Sequence, residues 1–258
     1  MNRRDDVNKL YKQSNALQKI SLIFYWCNIL AGFASPFLPA SEIYLRIEGI
    51  VQGVCALLFL VLNIFDTCYY WYEAEAERRK CDISNAFDIS LDELTTQDYY
   101  HNSLPPSMGK FAANAFESSF FSKEIAQRML GKVCVKAVCS IIVMIVSSFI
   151  IQDPSLLIII IQAALTAYFI DDAVKLLRYI TLVKSVFNSL FRSFITVGIG
   201  NRKQELNAFT NAFEYEAIKA HFQIRLDTKL FSKHNQELSS MWDEMSSKIR
   251  YSLEAEIE

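Results

Sequence analysis

The sequence predicts an all-α membrane protein: four transmembrane helices in two hairpins, both termini cytoplasmic, with a helical cytoplasmic middle loop and a helical C-terminal tail. Three observations carry this prediction. Four long apolar runs divide a chain of 258 residues. Lysines and arginines gather on alternate sides of those runs. Seven glycines and five prolines are too few for a turn-rich β architecture or for Gly-rich phosphate loops.

The bulk numbers add little. With 26 basic and 28 acidic side chains, net charge implies no partner. The apolar fraction of 52 % is close to that of soluble proteins, so distribution is what informs. The six cysteines, Cys27, Cys55, Cys68, Cys81, Cys134 and Cys139, contain no CxxC pair and mostly sit in apolar runs. They read as small polarizable packing residues.

Residues 1–19 place Val7, Leu10, Tyr11, Ser14 and Leu17 on one helical face and Lys9, Lys12 and Gln13 on the other. This is an amphipathic helix, suited either to the bilayer surface or to a mobile role occluding a central opening. Residues 20–72 form the first hairpin, from the uncharged run "ISLIFYWCNILAGFASPFL" and from "GIVQGVCALLFLVLNIFDTCYYWY", interrupted by Asp66. Residues 73–131 form the cytoplasmic loop. Residues 132–176 hold the second hairpin, with runs at 133–151 and 155–170. Residues 177–258 are the tail. A hydrocarbon core about 30 Å thick takes about 20 helical residues, and tilt or thinning absorbs small departures. The run at 20–38 lacks an Ala-x-Ala-like cleavage site and is expected to be a retained span.

Orientation follows from the flanking cations. Arg3, Arg4, Lys9, Lys12 and Lys19 precede the first run. Arg78, Arg79, Lys80, Lys110, Lys123, Arg128 and Lys132 lie between the second and third. Lys175, Arg178 and Lys184 follow the fourth, whereas the expected outer turns offer Arg46 alone. The second span leaves the membrane through "YYWY", an interfacial aromatic belt, and the same helix continues as "EAEAERRK". Arg78, Arg79 and Lys80 there suit either anionic headgroups or an anionic ligand.

In the middle loop Ser90 and Glu93 match a capping box, and Pro105, Pro106 and Gly109 interrupt any helix. "KFAANAFESSFFSKEIAQRML" then puts Phe111, Phe116, Phe120, Ile125 and Met129 on an imperfect helical face. In the tail, Met241, Met245, Ile249, Leu253 and Ile257 recur every fourth residue, a stripe that wants a partner.

Catalytic patterns are missing. His101, His221 and His234 are not paired with other ligands at helical spacing, and zinc, EF-hand, P-loop and nucleophile-elbow signatures are absent from the sequence. The acidic group Asp82, Asp88, Asp92 and Glu93 reads as solvated or capping. No enzyme, cofactor or metal is expected. Polar residues within the apolar runs say more: Asn28, Gln52, Asn63, Asp66 and Gln162. Phe59, Asn63 and Asp66 share one face of the second span. That face suits an ion path if copies assemble around an axis, and it suits bridging between helices equally well.

Two spans, an extension beginning "EAEAERRKCDISNAFDISL", a "DYYHN" element, "NAFESSFFSKEIAQRM", a second hairpin and a helical tail resemble the SMODS-associated four-transmembrane effectors of bacterial nucleotide-signalled anti-phage defence. The resemblance implies a homotetramer in the bacterial inner membrane, closed at rest. A nucleotide or short oligodeoxyadenylate made by a partner nucleotidyltransferase would open it, and the ion leak would depolarise the cell. It implies Val7, Leu10, Tyr11 and Leu17 as plug residues. It also implies Arg78, Arg79, Lys80, Arg202, Lys203, Lys219 and Arg225 as the cations receiving phosphates. The competing expectation is a membrane scaffold that docks cytoplasmic partners without conducting; a small transporter fits less well.

Overall fold

The computed structural model describes residues 4–34, 41–91, 93, 94, 96, 97, 99, 100, 102–150 and 156–252. The expected outer turn at 151–155, Asp92, His101, Leu253 and Ile257 lie outside them. The described chain is helical apart from one two-residue pairing. Helix α1 runs Asn8–Ala34 and α2 Glu42–Phe65; a π-helical turn at Asp66–Trp71 leads directly into α3, Tyr72–Phe87. After these come α4, Met108–Ile150, and α5, Leu156–Phe191. A second π-helical turn, Arg192–Val197, precedes α6, Arg202–Phe222, and α7, Thr228–Ser246. Among the described residues, two helices are long and apolar enough to cross a membrane: the unbroken Glu42–Phe87 and Thr166–Val197.

Helix starts follow local chemistry. Ser41, Asn201 and Asp227 sit in extended backbone and accept from Tyr44, Gln204, and Lys229 with Leu230, satisfying first-turn donors that have no intrahelical acceptor. Ser107 does the same for the Lys110 amide at 3.0 Å. No helix begins at Ser90, so the expected capping box does not form. Residues 89–91 follow α3 as coil instead, and the Leu91 amide donates back to Ser84 Oγ at 3.3 Å. The chain leaves α3 through Asp88 at φ 54, a left-handed conformation that short polar side chains tolerate and that ends a helix.

The chain divides into two compact units. The first comprises Met1–Val7, Ala76–Gly131 and Val174–Glu258. Its core centres on Phe116, fully buried, stacked on Phe194 at 5.8 Å and edge-on to Trp242 at 5.1 Å. Phe187 and Phe120 complete it, with the Lys123 ammonium 3.9 Å over the Phe187 ring. The face expected on "KFAANAFESSFFSKEIAQRML" is buried at Phe111, Phe116, Phe120 and Ile125. At the N-terminus, β1 (Arg4–Asp5) pairs antiparallel with β2 (Thr96–Gln97).

The tail stripe does not continue as one helix. Helix α7 ends at Ser246 and buries Leu238 and Trp242, while Met241 stays exposed. Ile249 falls in the turn beyond, where Tyr251 bridges in parallel to Ile199. The Arg250 guanidinium donates to the carbonyls of Ile195 and Thr196, which lie at the open C-terminal end of the π turn. Gly198 stops that turn at φ +86, a conformation glycine adopts without a Cβ penalty.

The second unit comprises Asn8–Glu75 and Lys132–Ala173. Tyr25, Phe59 and Phe169 meet there with Ala56, Ala137 and Ala173, small residues that let helices approach closely. Residues 8–19 keep the expected split: Tyr11 and Leu17 are partly buried and Ser14 fully, whereas Lys9, Lys12 and Gln13 are exposed. No break separates them from the run beginning at Ile20, because the stretch contains neither Gly nor Pro. Along α2, Ile43, Ile47, Ile50, Val54, Leu57 and Ile64 are exposed, an apolar face far larger than water tolerates on a lone soluble chain.

Candidate functional site

The most concentrated chemistry lies in the first unit, around Arg78 and Asp82 on α3. The Arg78 guanidinium donates to both Asp5 carboxylate oxygens, at 3.0 and 2.9 Å, from a side chain only 9 % exposed. Its other face lies 4.6 Å from the centre of the Tyr99 ring, a cation–π geometry. Burial works against its charge, but Tyr99, Asp5 and Asp82 outweigh it and hold its pKa above the ordinary arginine range. One turn further, Tyr100 Oη donates to Asp82 Oδ1 at 2.7 Å.

Asp82 is buried, not solvated as the sequence suggested. Burial raises its carboxyl to about 6 from a model-peptide value of 3.8; Lys219 pulls it down, Glu216 pushes it up, and Arg78 and Tyr100 lower it further. Lys219 itself donates to both Glu216 oxygens at 3.1 Å. Tyr100 is raised well above its usual range, chiefly by burial, so its hydroxyl stays a donor. Nearby, Asn102 donates to Asn114 at 2.7 Å and Asn114 to Asn85 at 2.9 Å. Tyr99, Tyr100 and Asn102 therefore hold the chain after β2 against α3 and α4. The Cys81 thiol, raised by burial, donates to the Leu94 carbonyl at 3.4 Å.

A second centre forms around Glu205 on α6, 1 % exposed. Its Oε1 accepts from the Gly109 amide at 2.8 Å and from Tyr251 Oη at 3.1 Å, and its Oε2 from Arg202 at 2.6 Å. Four of the cations expected to receive phosphates thus hold carboxylates: Arg78 on Asp5, Lys219 on Glu216, Arg202 on Glu205, and Lys80 on Glu77 at 2.6 Å. Arg78 and Lys219 share the field of Asp82, while Arg202 belongs to the Glu205 centre. Lys203 is exposed, and Arg79 and Arg225 are half-buried.

The expected plug residues are held by side-chain contacts. Val7 is fully buried. Tyr11 donates to Glu75 Oε1 at 2.7 Å, and its ring meets Trp71 edge-on at 5.4 Å. Leu10 and Leu17 are partly buried. The expected pore face is filled within one copy. Phe59 is fully buried against Tyr168 (5.1 Å) and Tyr25 (5.7 Å). Asn63 Nδ2 donates to the Phe59 carbonyl at 2.7 Å, and Tyr168 Oη donates to Asn63 Oδ1 at 3.4 Å. Asp66, 1 % exposed, opens the π turn. Such turns rotate the residues beyond them relative to a regular helix and recur at functional positions.

Sequence reasoning missed Asp5, Tyr99 and Glu205 as partners in these clusters. No local signal pairs Asp5 with a residue 73 positions away. Buried acids in a polar stretch look like solvated ones until the fold closes. No group of three or more His, Cys, Asp or Glu able to hold a metal occurs among the described residues.

Fold and site together define a helical protein with, among the described residues, two helices long and apolar enough to cross a membrane, and with a charged, aromatic-cored unit. Comparison with family models, with characterised proteins and with solved structures finds no match to this chain.

Proposed function

We propose that the chain is a membrane effector: a homo-oligomer, as a tetramer, of four-span subunits with both termini cytoplasmic, forming an ion pore opened by a nucleotide or short oligodeoxyadenylate. Its action is to depolarise the membrane and abort infection. The observation that supports this most is the unbroken helix Glu42–Phe87. It exposes an apolar face suited to lipid or neighbouring copies, and the same helix carries Arg78 and Asp82. A ligand event at α3 and a change in α2 then lie along one continuous helix. One nitrogen of Arg78 already donates to both oxygens of the Asp5 carboxylate, and phosphate oxygens can take the same place. In this reading the ligand competes with Asp5, and opening parts Tyr168 from Asn63.

The test is flux from liposomes holding the purified protein, with and without oligodeoxyadenylates and mononucleotides. Ligand-dependent flux is expected, and removal of residues 1–12 should leave a leak without ligand. A well-folded oligomer silent with every ligand rejects the pore. The alternative, a membrane scaffold that docks cytoplasmic partners without conducting, is favoured by Leu206 and Phe213. They lie two turns apart on α6, both more than half exposed; a stable partner on pull-down with no conductance would establish it.

A further inference from the structure

We infer that Glu48 and Gln52, with Asn28 as their support, form a binding site for a small monovalent metal cation inside the second unit. This goes beyond the pore reading and does not depend on it. Glu48 and Gln52 lie one turn apart on α2 and are 5 % and 1 % exposed. Gln52 Nε2 donates to Glu48 Oε1 at 2.8 Å, and Asn28 Nδ2, from α1, donates to the Gln52 backbone carbonyl at 2.8 Å. Those bonds fix both side chains. They leave Glu48 Oε2 and Gln52 Oε1 buried with no hydrogen-bond partner.

Two buried acceptors with no donor call for a cation, a neutral Glu48 carboxyl donating to Gln52, or a water. A carboxylate in apolar surroundings is strongly unfavourable without a counter-charge. Among the described residues no cationic side chain supplies one. Arg46, the cation nearest in sequence on α2, points outward and pairs with Glu42 at 3.5 Å. A carboxylate oxygen and an amide oxygen are hard donors of the kind alkali and alkaline-earth cations take. The site's single negative charge selects a monovalent ion, since a divalent one would leave a buried positive excess. One enclosed water donating to both oxygens, or a neutral Glu48 carboxyl donating to Gln52 Oε1, would satisfy the same atoms, and the experiment separates the cation from both.

The full-length protein in detergent is melted at fixed pH and ionic strength in sodium, potassium or N-methylglucamine chloride. An alkali cation at about ten times its half-saturating concentration should raise Tm by roughly 3–5 °C over N-methylglucamine. Glu48→Gln keeps an acceptor for Gln52 and removes the charge. It should abolish that increment and melt above the parent when no alkali cation is present. Equal Tm for the parent in all three salts overturns the site in favour of water or a neutral carboxyl, whatever the variant does. An increment that persists in Glu48→Gln places the cation elsewhere and equally overturns it.

Discussion

Asp5→Asn tests whether the N-terminal segment is tied down by the Arg78 pair. An exposed ion pair contributes at most about 1 kcal/mol, whereas breaking a fully buried one costs roughly 3–5 kcal/mol. Arg78 and Asp5 side chains are 9 % and 20 % exposed, nearer the buried limit. Asparagine keeps one acceptor, and the Tyr99 face remains, a contact of about 1 kcal/mol. The net loss is therefore about 2 kcal/mol, which lowers Tm by roughly 4–8 °C in a chain of this size. The assay is unfolding in detergent for the parent, Asp5→Asn, Arg78→Gln and the double variant. A cycle on this geometry should return a coupling of about 1–2 kcal/mol. Hydrogen exchange at the β1–β2 pair should accelerate in each single variant. A coupling below about 0.5 kcal/mol, or unchanged exchange at residues 4–5, would refute the reasoning.

Three further outcomes follow from the geometry. In Gly109→Ala the new Cβ would lie 2.2 Å from Tyr251 Cε2, so the ring must leave and abandon its bonds to Glu205 and Ser107. A loss of about 2–3 kcal/mol is expected, read by denaturant midpoint, and it should shrink when Tyr251 is already alanine. Phe116→Ala empties the centre of the aromatic core and should destabilise by roughly 3–5 kcal/mol; a loss under 1 kcal/mol would mean the core does not form as described. The Asp82 carboxyl, raised from 3.8 to about 6, makes the native state hold a proton that the unfolded chain releases between those values. Its contribution is therefore full below about pH 4 and is lost as pH rises through about 6. At about 1.4 kcal/mol per unit, the stability advantage of Asp82→Asn over the parent should shrink by about 2–3 kcal/mol between pH 7 and pH 4. Parallel curves would show that Asp82 ionises normally.

Much of the helical layout was legible along the chain. Asn201 and Asp227 mark helix starts, Pro105 and Pro106 precede α4, and the apolar face from Phe111 to Ile125 is buried. These are signals carried within one or two turns. The Ser90–Glu93 box and the Met241–Ile257 stripe misled for one shared reason. Each is a local pattern whose segment is taken by a longer-range partner: Ser84 holds Leu91, and Ile199 pairs with the chain at Tyr251. The carboxylate partners of Arg78, Lys80, Arg202 and Lys219 were the least legible, because residue type shows a cation and not which carboxylate sits on it.

By itself, then, the sequence determined the helical class, the long apolar runs that include 49–72 and 155–170, and the absence of familiar catalytic patterns. Those depend on composition, hydrophobic period and capping, which are short-range properties. The tertiary structure alone decided that Asp5 reaches Arg78 and that Asp82 lies buried in the field of Lys219. It also decided that Phe59 and Asn63 face Tyr168, and that two oxygens at Glu48 and Gln52 are closed in without a donor. Charge pairing and burial arise between segments tens of residues apart, when packing takes water away and each polar atom must find what replaces it.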